Sequence, residues 1–445
     1  MNRGVIVCAA RVFILIFSIV LISCSSGTKK TISPNIVLIM ADDLGYGDIG
    51  CFGSNEYRTP NIDQLASDGI TFTDYHSNVA VCTPTRAALL TGRYQQRAGL
   101  EGVIYVSGQS RKTGMDIEEY TIADALKAHG YQTAIFGKWH LGYHKKFFPV
   151  HQGFDRFYGY VSGNVDYISH YDNAGIYDWW SQTDSIYEEG YVTDLITDKA
   201  LDFIEEHKDL PFFAYIAHEA PHWPYQGRND RADRLAGVPF DSHGSRQDRQ
   251  QAYKEMVEIM DENVGRVIDK LSELGLEENT LVIFCSDNGG VPKLGNNKPF
   301  AKHKGTLWEG GHRVPAAIKW PGKIRAGAVS DQTVLSMDWY PTILSIVAND
   351  KLPVGLDGID LKSHILKNDK SEERSVFWRY REQKAVRKGE WKYLVENEDE
   401  YLFNPGNDKG ETTNLIDEQS AIANQLKNEL QAWEADVDKV PQKTN

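Results

Sequence analysis

Four short apolar runs in this chain stop abruptly on polar residues. Ile36-Val37-Leu38-Ile39-Met40 leads into Asp42-Asp43, and Thr133-Ala134-Ile135-Phe136 leads into Lys138 and His140. Phe212-Phe213-Ala214-Tyr215-Ile216 leads into His218 and His222, and Leu281-Val282-Ile283-Phe284-Cys285 into Asp287-Asn288. Unbroken apolar runs of this length suit strands buried on both faces of a largely parallel sheet. The intervening segments Pro60–Asp68, Ile122–His129, Val192–His207 and Asp248–Leu274 carry helical spacing. The alternation predicts an α/β fold in which a large, mostly parallel mixed sheet is sandwiched by helices. Ligands gather beyond the carboxyl ends of such strands, so the four polar ends are expected to share one site.

After Pro353 the pattern changes. Ser375–Tyr380, Lys384–Arg387, Trp391–Val395 and Glu400–Phe403 alternate like short antiparallel strands, and Ala421–Val437 sets Leu426, Leu430 and Trp433 on one helical face. A smaller antiparallel sheet-plus-helix subdomain is therefore expected over 353–445, following a catalytic domain over 34–352. At the other end, Arg3 and Arg11 precede or flank an apolar run, Val12 to Ile22, which fits a secretory signal better than a membrane span. The run ends in Leu21-Ile22-Ser23-Cys24, which looks like a bacterial lipoprotein cleavage box. Residues 1–23 are read as a signal peptide, Cys24 as the lipidated new terminus, and 24–33 as a polar tether. A plain signal peptide cut nearby is the alternative. The expectation is an exported bacterial lipoprotein, held to the membrane by its lipid anchor and facing the periplasm.

Charge narrows the partners. The formal net charge is −14, which argues against nucleic acid and against a polyanion held along an extended basic groove. An anionic substrate must be bound locally, and between Lys298 and Arg325 seven Lys or Arg residues face the single acid Glu309. Cys51, Cys82 and Cys285 remain in the mature chain without zinc-type spacing. A Cys51–Cys285 disulfide and two buried thiols are both open readings.

Asp42, Asp43, Asp287 and Asn288 offer oxygen ligands only, a set for a hard divalent cation, Ca2+ or Mg2+, and not for zinc. Cys82-Thr83-Pro84-Thr85-Arg86 opens an Ala-Leu run that reads as a helix. Its free N–H groups and dipole favour an anion beside Cys82, and Arg86 adds a planar donor fork. A half-buried cysteine at a helix start is the structural alternative for that short pattern.

The whole stretch Cys82 to Gly92 resembles the signature of the type I, formylglycine-dependent sulfatases of the alkaline phosphatase superfamily, arylsulfatases among them. Five further motifs lie in that family's order. They are Ala41-Asp42-Asp43-Leu44-Gly45, Gly137-Lys138-Trp139-His140-Leu141-Gly142, Ala220-Pro221-His222-Trp223-Pro224, Ser286-Asp287-Asn288-Gly289-Gly290, and Lys304-Gly305-Thr306-Leu307-Trp308-Glu309-Gly310-Gly311. The resemblance implies an alkaline-phosphatase-like fold and a bound Ca2+, ahead of Mg2+. It also implies that a maturation enzyme oxidises Cys82 to formylglycine (3-oxoalanine), whose hydrate touches the metal and attacks sulfur. Lys138, Lys304 and Arg86 would stabilise the sulfate charge, His222 would protonate the leaving oxygen with help from Lys304, and His140 would act as the base that expels sulfate.

Further substrate contacts are expected from Ser162, His218, Asp166, His170 and Arg379, each with a packing role as its alternative, and Arg381 is expected beside Arg379 to reach the pocket from the smaller subdomain. Tyr167 to Trp180 is read as a sugar-stacking wall or as loop packing. The expected substrate is a sulfated carbohydrate: ulvan, carrageenan or a glycosaminoglycan. A phosphate-ester hydrolase of the same superfamily and a non-catalytic glycan-binding lipoprotein are the competing readings.

Overall fold

The computed structural model describes residues 33–240, 243–348 and 352–439. The signal peptide, Cys24 and all of the tether but Ser33 lie outside the described residues. Ten strands form one sheet in the order Ala328–Ser330, Ile70–Phe72, Ala316–Lys319, Thr280–Ser286, Asn35–Ala41, Phe212–Ala217, Gln132–Lys138, Arg156–Tyr160, Trp180–Ser181 and Asp184–Ser185. The five strands from Thr280–Ser286 to Arg156–Tyr160 run parallel, and antiparallel pairs are added on both sides. The four apolar runs are these strands' buried centre.

Period-two alternation divides each central strand between two cores. Ile36, Leu38, Met40, Ile135, Phe213, Tyr215, Ile283 and Cys285 face one layer, with the helices Cys82–Thr91, Ile122–Ala128 and Trp339–Ala348. Val37, Ile39, Phe136, Ala214, Ile216 and Phe284 face the other, with Pro60–Ser67, Val192–Glu206 and Arg249–Glu273. Four observed helices thus match the spacing-based ranges to within a residue or two at each end. Cys285 belongs to the first core and Cys51 packs against the second, and both are free thiols. The sheet separates them, so the disulfide reading is set aside.

The smaller sheet is a four-stranded antiparallel meander, Ser375–Tyr380, Gln383–Lys388, Trp391–Glu396 and Asp399–Phe403, covered by the helix Ser420–Val437. Leu426, Leu430 and Trp433 pack there with Val79, Val81, Leu307 and Leu335 of the larger layer. The helix Lys362–Lys367 instead sends Ile365 into the core beneath the large sheet. The chain therefore leaves the large core near Ser375 and not at Pro353.

Register brings the polar ends to one edge. Met40 pairs with Ala217, Ala41 with Ser286, and Gly137 with Ala217. Asp42, Asp287, Lys138 and His218 thus leave their strands at the same level. The helix Cys82–Thr91 starts at that edge, and all ten of its residues are buried. It begins at Cys82, so proline occupies the third helical position, within the turn that lacks amide partners.

Candidate active site

The strand ends and two neighbouring segments place four carboxylate or amide groups and three cations in contact, all buried but Lys304, whose side chain is 19% exposed. Arg86 binds Asp287 through Nη2 at 2.7 Å and Nε at 3.1 Å. Lys138 pairs with Asp42, and Lys304 reaches Asp43 at 2.6 Å. Asn288 donates its amide to Asp43 Oδ1 at 2.7 Å. Burial, then the charge of Asp42, pushes Asp287 up from the usual carboxylate range. Burial works against the charge on Lys138, yet Asp42 holds that ammonium above its ordinary value.

Two buried oxygens in this cluster, Asp42 Oδ1 and Asn288 Oδ1, have no hydrogen-bond partner. An orphaned buried acceptor is costly, and two of them beside three aspartates form a socket for a cation. Ligand atoms of Asp42, Asp43 and His222 lie within 4.8 Å of one another. The donor set is mostly hard oxygen, so the residues fit the divalent cation that the sequence implies. Asp43 and His140 both hold left-handed backbone, φ 65° and 57°. Such strain in non-glycine residues persists only where the surroundings dictate it, and it collects at functional sites.

Cys82 faces this cluster from the first turn of its helix. Burial pushes its thiol up, against the pull of Lys138 and Lys304. As encoded it is a protonated thiol, a weak nucleophile. The histidines are oriented by backbone carbonyls. His140 Nε2 lies 2.9 Å from the carbonyl of Ile104, so that nitrogen carries the hydrogen, and the buried Nδ1 has no partner. Burial and then Lys138 hold His140 well below the usual imidazole range, which leaves Nδ1 free to accept a proton. Gly163 closes over this ring, where a Cβ would stand 2.8 Å from Nε2. His222 donates Nδ1–H to the carbonyl of Trp223 at 2.7 Å, and its Nε2 points at Asp43, 3.7 Å away.

These groups line a cavity of about 440 Å3, bounded by Cys82, His140, His222, Lys304, Ile104, Tyr105, Tyr143, Trp223, Asn164, Asn173, Tyr380 and Arg381. Close approach of two loops holds Lys304 in the lining: its backbone N–H donates to the carbonyl of Gly290 at 3.1 Å, and a Cβ on Gly289 would meet the carbonyl of Gly310 at 1.9 Å. The cavity bears on each weaker sequence expectation. Ser162 is buried and donates to the carbonyl of Asn164 at 2.9 Å, with its amide on Asp178. His218 is buried with neither ring nitrogen partnered, and it does not line the cavity.

Three substrate expectations are corrected. Asp166 accepts from the amides of Ile168, Ser169, Asp233 and Arg234 and from Gln226, so it braces two loops. His170 stacks on Trp179 with ring centroids 4.5 Å apart and meets the carbonyl of Gly190. Arg379 pairs with Glu101 and Asp438 away from the cavity. The expected aromatic wall also fails, because Tyr167 and Trp179 are packed into the core. The wall is built from Tyr105, Tyr143, Trp223 and Tyr380, which lie in separate segments. Trp223 sits inside a quoted motif and Arg381 is the second of the two arginines expected from the smaller subdomain, whereas Val103 to Ser107 and Tyr380 carry no chemical signature in the sequence.

Comparison with known proteins agrees with this geometry. The Sulfatase family model matches residues 34–348, and the model for the C-terminal part of N-sulphoglucosamine sulphohydrolase matches 300–436. Human arylsulfatase A is 35% identical over 391 residues, covering 80% of this chain and 73% of that protein. Mouse N-acetylgalactosamine-6-sulfatase is 35% identical over 390 residues, covering 81% and 71%. The crystal structure of Ps i-CgsB superposes with a TM-score of 0.82 at 31% identity, over 92% of this chain and 94% of that one. Ps i-CgsB has also been solved with k-i-k-neocarrahexaose. With the fold, the strand-end cluster and the sequence all in agreement, the chain belongs to the sulfatase family and is a sulfuric ester hydrolase.

Proposed function

We propose that this protein removes sulfate from sulfated glycans, using formylglycine at position 82 and a bound Ca2+. The supporting observation is the cavity of about 440 Å3 lined both by aromatic side chains and by residue 82, His140, His222 and Lys304. Flat aromatic faces with a few convergent polar groups suit a sugar ring presented ester-first. The k-i-k-neocarrahexaose complex of Ps i-CgsB supports a polysaccharide-derived substrate, as does the likeness to N-acetylgalactosamine-6-sulfatase.

Asp42, Asp43, Asp287, Asn288 and residue 82 would hold the ion, which supplies charge stabilisation to a sulfuryl oxygen. The formylglycine hydrate supplies an alcohol nucleophile where the encoded thiol is protonated. Lys138, Lys304 and Arg86 fix positive charge around the transferring sulfate before the reaction starts. His222 Nε2, with its other nitrogen pinned to Trp223, is assigned the proton delivery to the departing oxygen, with the Lys304 ammonium alongside. Burial, then Lys304 and Lys138, hold this imidazole well below its usual range, so the role requires the negative charge of the bound sulfate ester to put a proton on Nε2 first. His140 Nδ1 then takes a proton from the residue 82 side, and sulfate leaves. Desulfation of defined sulfated mono- and disaccharides, run beside the matching phosphate esters, tests the reading. Sulfate release confined to sulfated sugars is the expected result, and preferential phosphate release contradicts it.

The chain is further proposed to be an exported lipoprotein, anchored through Cys24 and facing the periplasm. The sequence Leu21-Ile22-Ser23-Cys24 supports this. Acyl labelling of the wild type that is lost in Cys24→Ser is the check.

A further inference from the structure

Arg381 lines the cavity yet has no role in the chemistry above. It is the first residue of the two-residue turn between the strands Ser375–Tyr380 and Gln383–Lys388, where Tyr380 pairs with Gln383. Its φ is 53°, a backbone state that glycine adopts freely and arginine does not. Its side chain is exposed, whereas Cys82, His140 and His222 are buried, so it stands at the cavity mouth. The guanidinium lies 5.1 Å from the centroid of the Tyr380 ring. Tyr105, 54% exposed on the opposite segment, faces the same guanidinium.

Other arginines of the small sheet are neutralised. Arg379 pairs with Glu101 and Asp438, and Arg387 pairs with Asp74 and Glu309. Arg381 makes no ion pair among the described residues, in a protein whose net charge is −14. A forked cation without an ion-pair partner, at the mouth of a pocket proposed to take one sulfate, is suited to receive a second anion. The segment carrying Tyr105 also carries the Ile104 carbonyl that orients His140, so the mouth and the base are built from the same loop.

We infer that Arg381, flanked by Tyr105 and Tyr380, is a second anion subsite. It selects glycans that bear a further sulfate or carboxylate on the same sugar or the next one, beyond the ester that is cleaved. This rests on the glycan-sulfatase reading and goes beyond it by naming a substrate class. The subsite works through binding, and the mature enzyme tests it with three matched oligosaccharides. One carries only the scissile sulfate, one adds a second sulfate, and one adds a uronate carboxylate.

The wild type is expected to prefer at least one doubly charged substrate in kcat/KM. Arg381→Ala should shrink that preference roughly tenfold, through KM, which is the low end for a charge-assisted hydrogen bond. Arg381→Lys, which keeps the charge but not the fork, should fall between. The sulfate and carboxylate arms tell which anion is read. The preference should weaken as salt is raised, because the group is exposed. An unchanged preference in Arg381→Ala, or its absence in the wild type, overturns the inference while the glycan reading stands. A wild type that cleaves aryl sulfate but none of the sulfated sugars overturns the glycan reading, and the subsite with it.

Discussion

At the scale of single residues, the proposed division of labour between two buried histidines rests on which ring nitrogen each backbone carbonyl claims. With Nε2 of His140 bound to Ile104, only Nδ1 can act as a base. His140→Ala should therefore lower kcat by about 10²–10⁴. Rapid-mix assays should still show one equivalent of desulfated sugar released before turnover stalls. A loss of that first equivalent would place His140 in the first step instead. His218 shows what a buried histidine does without a chemical task. Burial lowers its pKa from 6.5 to about 4, with Asp194 pulling weakly the other way. Between about pH 4 and 6.5 the unfolded chain binds a proton that the folded one refuses, so this group's contribution is fully present above 6.5 and is lost as pH falls. The limit is about 3 kcal/mol. Denaturation curves of His218→Leu should show a flatter dependence on pH across that window than the wild type.

At the scale of elements, the central strands and long helices were legible because each apolar run or amphipathic repeat is long enough to specify itself. Asn35–Ala41 and Arg249–Glu273 differ from the expected ranges only by a residue or two at each end. The pairs Ile70–Phe72, Ala316–Lys319 and Trp180–Ser181 are too short to show a period, and tertiary pairing defines them. Asp42, Lys138, Asp287 and Asn288 were legible because they end or follow strands, and Cys82, Arg86, His222 and Lys304 because they sit in motifs that resemble the family's. The cavity wall was not, since Tyr105, Tyr143 and Tyr380 meet only through folding.

The join between the two sheets was equally hidden. There Glu309 is held by Lys392 at 2.9 Å and Arg313 at 3.1 Å, and Lys392 also holds Glu411 at 2.8 Å. Asp74, His76, His312 and Arg387 complete this buried network. Lys392→Met would leave two buried carboxylates without their shared cation and should cost roughly 3–5 kcal/mol in denaturant unfolding. A loss below 1 kcal/mol would show that the network is not what joins the sheets. Because Glu309 follows Lys304 by five residues, the folded fraction should also lose activity.

At the scale of the whole molecule, the proposed cation would tie the strand-end cluster to stability. The cluster's three aspartates are matched by Arg86, Lys138 and Lys304, yet Asp42 Oδ1 and Asn288 Oδ1 stay buried without a partner, and a cation there would satisfy both. Chelation should abolish activity and lower the melting temperature. Added Ca2+ at a hundred times its Kd should restore about 2.7 kcal/mol. A melting temperature indifferent to chelator and Ca2+ would remove the metal from the account. The central claim is narrower still: the working group at position 82 is not the thiol that the gene encodes. Peptide mass spectrometry of active protein, across the segment containing Cys82, measures this directly. The account predicts the formylglycine mass in proportion to specific activity, and full activity in protein carrying only the unmodified cysteine would contradict it.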